Sequence, residues 1–192
     1  KITALIGQGV EFLLTLQPIL MCMLIAMTFC ILIVSPFTTV GIGLAIGLSG
    51  IGSGAANLGI CAAGFGLAVA GLKVNSVGTC IAHFIGSPKM SMANVIAKPK
   101  ILLPMLCSAA LLGVLASVFS IQGTPASAGF GFSGLVGPIY ALNLMENGWT
   151  AGNILLVATI FVVAPIIFNI IFIHVFEKVV QWIQPEDYKL TV

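Results

Sequence analysis

Residues 12 to 72 form a continuous run without one charged side chain, and inside it Gly41 to Gly54 alternates glycine with small or apolar residues. A folded surface in water is kept soluble by charge, so a segment of this kind suits a chain whose solvent is lipid. The composition agrees: 6% of the residues are charged and 59% are hydrophobic. The 192 residues can fill several helical spans of about 20 residues each. The fold class read from the sequence is therefore all-α, a polytopic transmembrane helical bundle with broken helices, forming a single transmembrane domain over residues 1–192.

Proline and glycine mark the spans. Phe12 to Val34 is apolar apart from Thr15, Gln17 and Thr28; Pro18 lies near its start, and it stops at Ser35-Pro36, where proline removes a donor and pushes its predecessor out of helical geometry. Ile101 to Ser120 is a further span, its length of roughly 30 Å matching the hydrocarbon thickness. Trp149 to Phe176 is another, with Trp149 and Trp182 as interfacial anchors and Pro165 as a site for a kink. Val40 to Leu72 exceeds one straight span and holds ten glycines, so it reads as a broken helix. Irregular backbone at membrane depth survives only inside protein or beside a water-filled cavity, which puts this segment within the bundle. Gln122 to Pro138 again replaces bulky aliphatics by glycine, proline and serine without adding charge. It reads as a re-entrant Gly-rich hairpin over about 121–138, because a soluble loop of that length carries charge. Ser76 to Gly86 is weighed as a shorter re-entrant piece.

All seven basic residues are lysines, scattered singly, which excludes a nucleic-acid footprint and leaves no nucleic-acid partner. Lys73, Lys89, Lys98 and Lys100 share one connection, Lys178 and Lys189 share the tail, and residues 121 to 148 have none. The positive-inside rule makes both lysine-bearing regions cytoplasmic and brings the hairpin in from the opposite face. Cys22, Cys30, Cys61, Cys80 and Cys107 are odd in number and contain no Cys-x-x-Cys pair, so free thiols are expected, with no metal and no cofactor. The chain starts at Lys1 with no leader pattern, and reads as part of a longer protein.

Two glycine-rich, uncharged, polar-dotted breaks in one bundle point to transport, because half-helix ends direct backbone dipoles at a solute near the midplane. The first break supplies Ser35, Thr38, Thr39, Ser49, Ser53 and Asn57, and the second Gln122, Thr124, Ser127 and Ser133. Hydroxyls and amides without charge suit a neutral, hydroxyl-rich ligand, with Phe130 and Phe132 adding apolar contact. The plainer reading is that small residues serve close helix packing, and Gly50-x-x-x-Gly54 alone says no more than that. His83 can donate to a solute or, more plainly, bond to backbone; His174 and Glu177 share a helix face and read as a structural pair. Glu146 in MENGW reads as an exposed turn closing with Asn147-Gly148. Gly-x-Ser-x-Gly, His-Glu-x-x-His and Walker motifs are missing, so the chain is not read as an enzyme.

Three stretches together, SPFTTVGIGLAIGLSGIGSGAANLG, NVIAKPKILLPMLCSAALLGVLASVF and GTPASAGFGFSGLVG, resemble the membrane-permease subunits (enzyme II C component) of the bacterial sugar phosphotransferase system. The likeness is to the stand-alone putative branch, whose members are about twice this length. It covers residues 17 to 140 well and the last span loosely, and corresponds to the C-terminal half of those permeases. It implies a multi-pass protein of the bacterial inner membrane that binds sugar within the bilayer, presents it to a cytoplasmic phosphoryl-carrier subunit and works as a homodimer. The glutamate-bearing sugar motif of the glucose and chitobiose-type permeases has no counterpart in residues 12 to 72. The expected substrate-binding residues are Ser35, Thr38, Thr39, Asn57, His83, Thr124, Ser127 and Ser133. Two other classes compete: a non-transporting sensor or scaffold on a permease fold, and a transporter of another small solute such as an organic anion. The anion is disfavoured because no arginine and no lysine within a span is available to meet it.

Overall fold

Pro18 stands at the first position of a helix, where its missing N–H is no loss. In the computed structural model, which describes residues 2–13 and 16–190, α1 spans Ile2–Leu13 and α2 spans Pro18–Ile33. Residues 14 and 15, inside the expected first span, lie outside the described residues. After Ser35-Pro36 the chain restarts as α3, Thr39–Ala45, whose N-cap Thr38 accepts from the Gly41 amide at 3.3 Å. A turn with Gly47 and Gly50 in left-handed conformation leads into α4, Gly50–Gly71. The glycine-bearing segment is thus two helices.

Ser76 caps α5, Val77–Ile85, by accepting from the Thr79 amide. A 3-10 turn over Pro88–Ser91 and the short α6, Met92–Ala97, complete the connection. Next come α7, Leu103–Val118, entered through a turn at Pro99–Leu102, and α8, Val136–Leu144. Finally α9, Ala151–Ala158, and α10, Ala164–His174, join through a π-helical turn at Thr159–Val163 that relieves the ladder ahead of Pro165. With the π-helical turn at Val175–Val179 they make one continuous helix. Three helices are long and apolar enough to cross a membrane, Gly50–Gly71, Pro99–Val118 and Ala151–Val179, while α2 has 16 residues. No named strand occurs among the described residues, and the chain is an all-α membrane bundle.

α4 is the axis of this bundle. Nineteen of its 22 residues are buried, against α2, α5, α7 and α10. Cys22 lies against the Ile51 carbonyl and Ala26 against Gly59, so α2 runs parallel to α4. The pairs Gly66–Met105 and Gly54–Ile121 make α7 antiparallel, and Asn169, which donates to the Ala62 carbonyl at 3.1 Å, together with Glu177 beside Lys73, makes α10 parallel. Gly71 beside Cys80 and Gly64 beside His83 make α5 antiparallel. At Gly59 a β-carbon would strike the Ala26 carbonyl, so glycine there is the condition for the α2–α4 approach.

The lysine-bearing regions come together at the C-terminal end of α4. Lys73 pairs with Glu177 at 2.7 Å, Lys98 and Lys100 pair with Asp187 at 2.7 and 3.1 Å, and Asn75 and Asn94 donate to the Tyr188 and Lys189 carbonyls. Glu177 therefore takes its partner from the end of α4, across the bundle, and not from His174. The MENGW turn is closed by the Gly148 amide donating to Met145 at 3.0 Å, with Asn147 and Gly148 left-handed. All five cysteines are free.

Candidate functional site

Three interrupted segments meet beside the middle of α4. The first is the break between α2 and α3, residues 34 to 38. The second is the loop of residues 121 to 135, which climbs along α4 from its first turn. The third is α5 with its following turn, which descends along α4 from the other end.

The climbing loop is fixed to α4 by backbone. Gly50 and Gly123 exchange two N–H to carbonyl bonds, at 2.9 and 3.0 Å. Ser53 donates to the Thr124 carbonyl at 3.0 Å, and Ile121 lies so close to Gly54 that no β-carbon fits between them. Thr124 and Ser127 brace each other in a hydroxyl turn: Ser127 accepts from the Thr124 amide at 2.9 Å and donates to its carbonyl at 3.1 Å. Further up, Thr39 donates to the Gly129 carbonyl at 2.8 Å, and Asn57 accepts from the Gly131 amide at 3.0 Å. Thr39, Asn57 and Ser127 are all buried. Gly131 is left-handed and rests on Ile60. Asn57 Nδ2 is buried without a hydrogen-bond partner.

At the top of the climb, Ser133 donates to the Gly86 carbonyl at the end of α5, at 2.6 Å. Phe132 meets Phe65 of α4 edge to face, and Phe84 of α5 stacks on Phe65 with ring centroids 4.6 Å apart. Ser35 turns back to donate to Leu32 at 2.6 Å and accepts from the Phe37 amide, closing the end of α2. Thr38 caps α3 and is exposed.

His83 is buried behind this junction. Its Nδ1 faces the Thr79 carbonyl at 2.8 Å, which only accepts, so Nδ1 carries the proton; the neutral ring then accepts through Nε2 from Ser91 at 2.7 Å. Both nitrogens are occupied, and the ring ties α5 to the turn after it.

Of the eight residues expected from sequence, Ser35 and Ser133 stand where the break and the loop touch the α5 element, Thr39 and Asn57 hold the loop below them at Gly129 and Gly131, Thr38 caps α3 at the exposed surface, and His83 lies one layer behind. Thr124 and Ser127 sit lower, beside Ser53, roughly 10 Å along α4 from Ile60. The residue that sequence reasoning missed is Lys89. Grouped with the lysines of one connection, it instead turns inward, and its ammonium donates to the Ser35 and Phe37 carbonyls, both at 2.6 Å. It lies outside the spans, yet its ammonium reaches the break after α2. Pro88, which starts the turn carrying Lys89, was the one local signal of a change in direction.

The junction is an array of uncharged donors and acceptors with one cation at its edge. Its hydroxyls are engaged within the protein, no space for a water molecule remains where Cys61, His83, Phe132 and Ser133 meet, and it presents no paired acids or metal-ligating cluster among the described residues. No curated protein and no solved structure shows significant similarity to the chain. The profile of the family described as "Phosphotransferase system, EIIC" matches residues 1–190, beyond the 17 to 140 over which the sequence motifs lie. Members of that family are transporter membrane domains that work with the other components of the phosphotransferase system. The chain belongs to the EIIC family, the membrane permease components of sugar phosphotransferase uptake.

Proposed function

We propose that the chain binds a neutral, hydroxyl-rich solute of the sugar class where the three broken segments meet, as a multi-pass permease of the bacterial inner membrane. The meeting of the break that carries Ser35, the loop that carries Ser133 and the α5 element, with Thr39 and Asn57 holding the loop below it, carries this reading. Phe65, Phe84 and Phe132 offer ring faces to the apolar side of a pyranose-like solute. In the closed arrangement the hydroxyls bond backbone carbonyls, so binding requires the junction to part. A sugar hydroxyl both donates and accepts, and can replace such bonds one for one. Thr124 and Ser127 would line the approach, and His83 would hold α5 in shape. The bound solute would be presented to a cytoplasmic phosphoryl-carrier subunit at the lysine-bearing end, and the resemblance extends the proposal to a homodimer.

The test is binding of a panel of labelled sugars to purified protein, with and without the soluble phosphotransferase components. At least one sugar should bind, and Asn57→Ala or Ser133→Ala should abolish its binding while the protein stays folded. A folded protein that binds no sugar of the panel would favour the sensor or scaffold instead.

A further inference from the structure

The ties that close the junction are of two kinds. Between the loop of residues 121 to 135 and the α3–α4 pair they include paired backbone bonds at Gly50 and Gly123, the buried bonds of Thr39 from α3 and Asn57 from α4, and the Gly54–Ile121 contact that leaves no slack. Between that assembly and the α5 element, residues 76 to 91, they are the packing of α5 on α4 at Gly64 and Gly71 together with contacts made by side chains. Lys89 reaches the Ser35 and Phe37 carbonyls, Ser133 reaches Gly86, and Phe84 lies against Phe65 and Phe132.

The α5 element is also braced within itself. Ser76 caps its start, His83 bridges Thr79 and Ser91, and Ser87 accepts from the Lys89 amide. Such a unit holds its shape by its own bonds. Its tip carries a cation whose two bonds go to carbonyls just past the end of α2, where no intrahelical donor remains and the helix dipole is negative. Withdrawing the tip removes that charge and frees both carbonyls together, which makes the contact two-state.

We propose that residues 76 to 91 are the moving gate of the junction, that they open toward the lysine-bearing end, and that Lys89 is the latch. The inference rests on the permease reading for its purpose, since a gate needs something to admit. Its test uses no solute, so the two can fail separately.

Cys61 is a native reporter. It is 1% exposed and lies under the gate with His83, Phe84, Pro88 and Ser133 around it. The full chain, with its other four cysteines replaced by alanine, is placed in vesicles of known orientation and treated with a membrane-impermeant maleimide from either face. Labelling of Cys61 should be slow in the parent. Lys89→Met should speed it on the order of tenfold from the lysine-bearing face alone, and Lys89→Arg, which keeps charge and donors, should stay within about twofold of the parent. Were Lys89→Met not to fold, Ser133→Ala removes the second tie and should speed labelling a few-fold from the same face. A cap with only a structural role would change stability without side-specific exposure. Unchanged labelling, or a rise from the opposite face or from both equally, overturns the proposal.

Discussion

Gly59→Ala tests the packing on which the whole arrangement hangs. The added methyl meets the Ala26 carbonyl, with the carbonyl carbon at 2.7 Å and its Cα at 2.8 Å, where carbon atoms rest at about 3.5 Å or more. The helices must therefore part by about 1 Å. Because the obstacle is backbone, no rotamer change relieves it, and the cost falls at the upper end of overpacking, about 3 kcal/mol. Alanine returns about 1 kcal/mol of helix propensity. The net loss is about 2 kcal/mol, or some ~4–8 °C in melting temperature for a chain of this size. Gly152→Ala is the control: it lies in α9 with nothing within 4 Å of the added methyl, and should gain up to ~1 kcal/mol from propensity alone. Thermal unfolding of both variants in one detergent reads the two signs. A Gly59→Ala protein as stable as wild type, or more so, would refute the close α2–α4 approach.

Asn57→Ala leaves the Gly131 amide buried without an acceptor, at a cost of about 1–3 kcal/mol; hydrogen exchange should quicken first at Gly131 and its neighbours in the loop, and uniform quickening along α4 would argue against the described bond. The tail clamp depends on acid. Partial burial pushes the Asp187 carboxyl up, but bonds from Lys98, the Gln184 amide and Lys100 outweigh it and hold its pKa at about 2, below the ordinary 3.8. A carboxyl depressed on folding contributes fully above its ordinary pKa and loses that contribution as pH falls toward about 2. With the lysines half exposed, the contribution is about 1 kcal/mol. In a Trp149→Phe background, fluorescence of Trp182 should change between pH 4 and 2, and Asp187→Asn should show the acid signal at pH 7; no difference between that variant and its parent at pH 7 would refute the clamp.

The breaks were legible in the sequence because proline and glycine act through their own backbone. Pro18 and Ser35-Pro36 are local effects that lie where residue type alone puts them, while the glycine run announced a break in Val40 to Leu72 without its position at Gly47–Gly50. Serine and threonine hydroxyls are different. That Thr39 faces Gly129, ninety positions away, depends on how the loop seats against α3 and α4. The inward turn of Lys89 follows from α5 lying antiparallel on α4, a contact without a residue-level signal; in a connection with three other lysines its charge looked like a solvated face. Glu177 was misread for the converse reason. A local partner, His174, was visible three residues away, while Lys73 became a neighbour only once α10 lay parallel to α4.

If the junction opens as proposed, its closed form sets a condition on what can occupy it. Parting it frees acceptors, the carbonyls of Ser35, Phe37 and Gly86, and donors, the Lys89 ammonium and the Ser133 hydroxyl. Each group left unpaired away from water costs about 1–3 kcal/mol. An apolar solute satisfies none of them. A carboxylate satisfies the donors but leaves three carbonyls orphaned, and places its charge against their negative ends. A hydroxyl-rich solute, with a donor and an acceptor at each oxygen, meets both sets, so the inward lysine does not by itself favour an anion: its partners are carbonyls, and what replaces the latch must donate to them as well as accept from it.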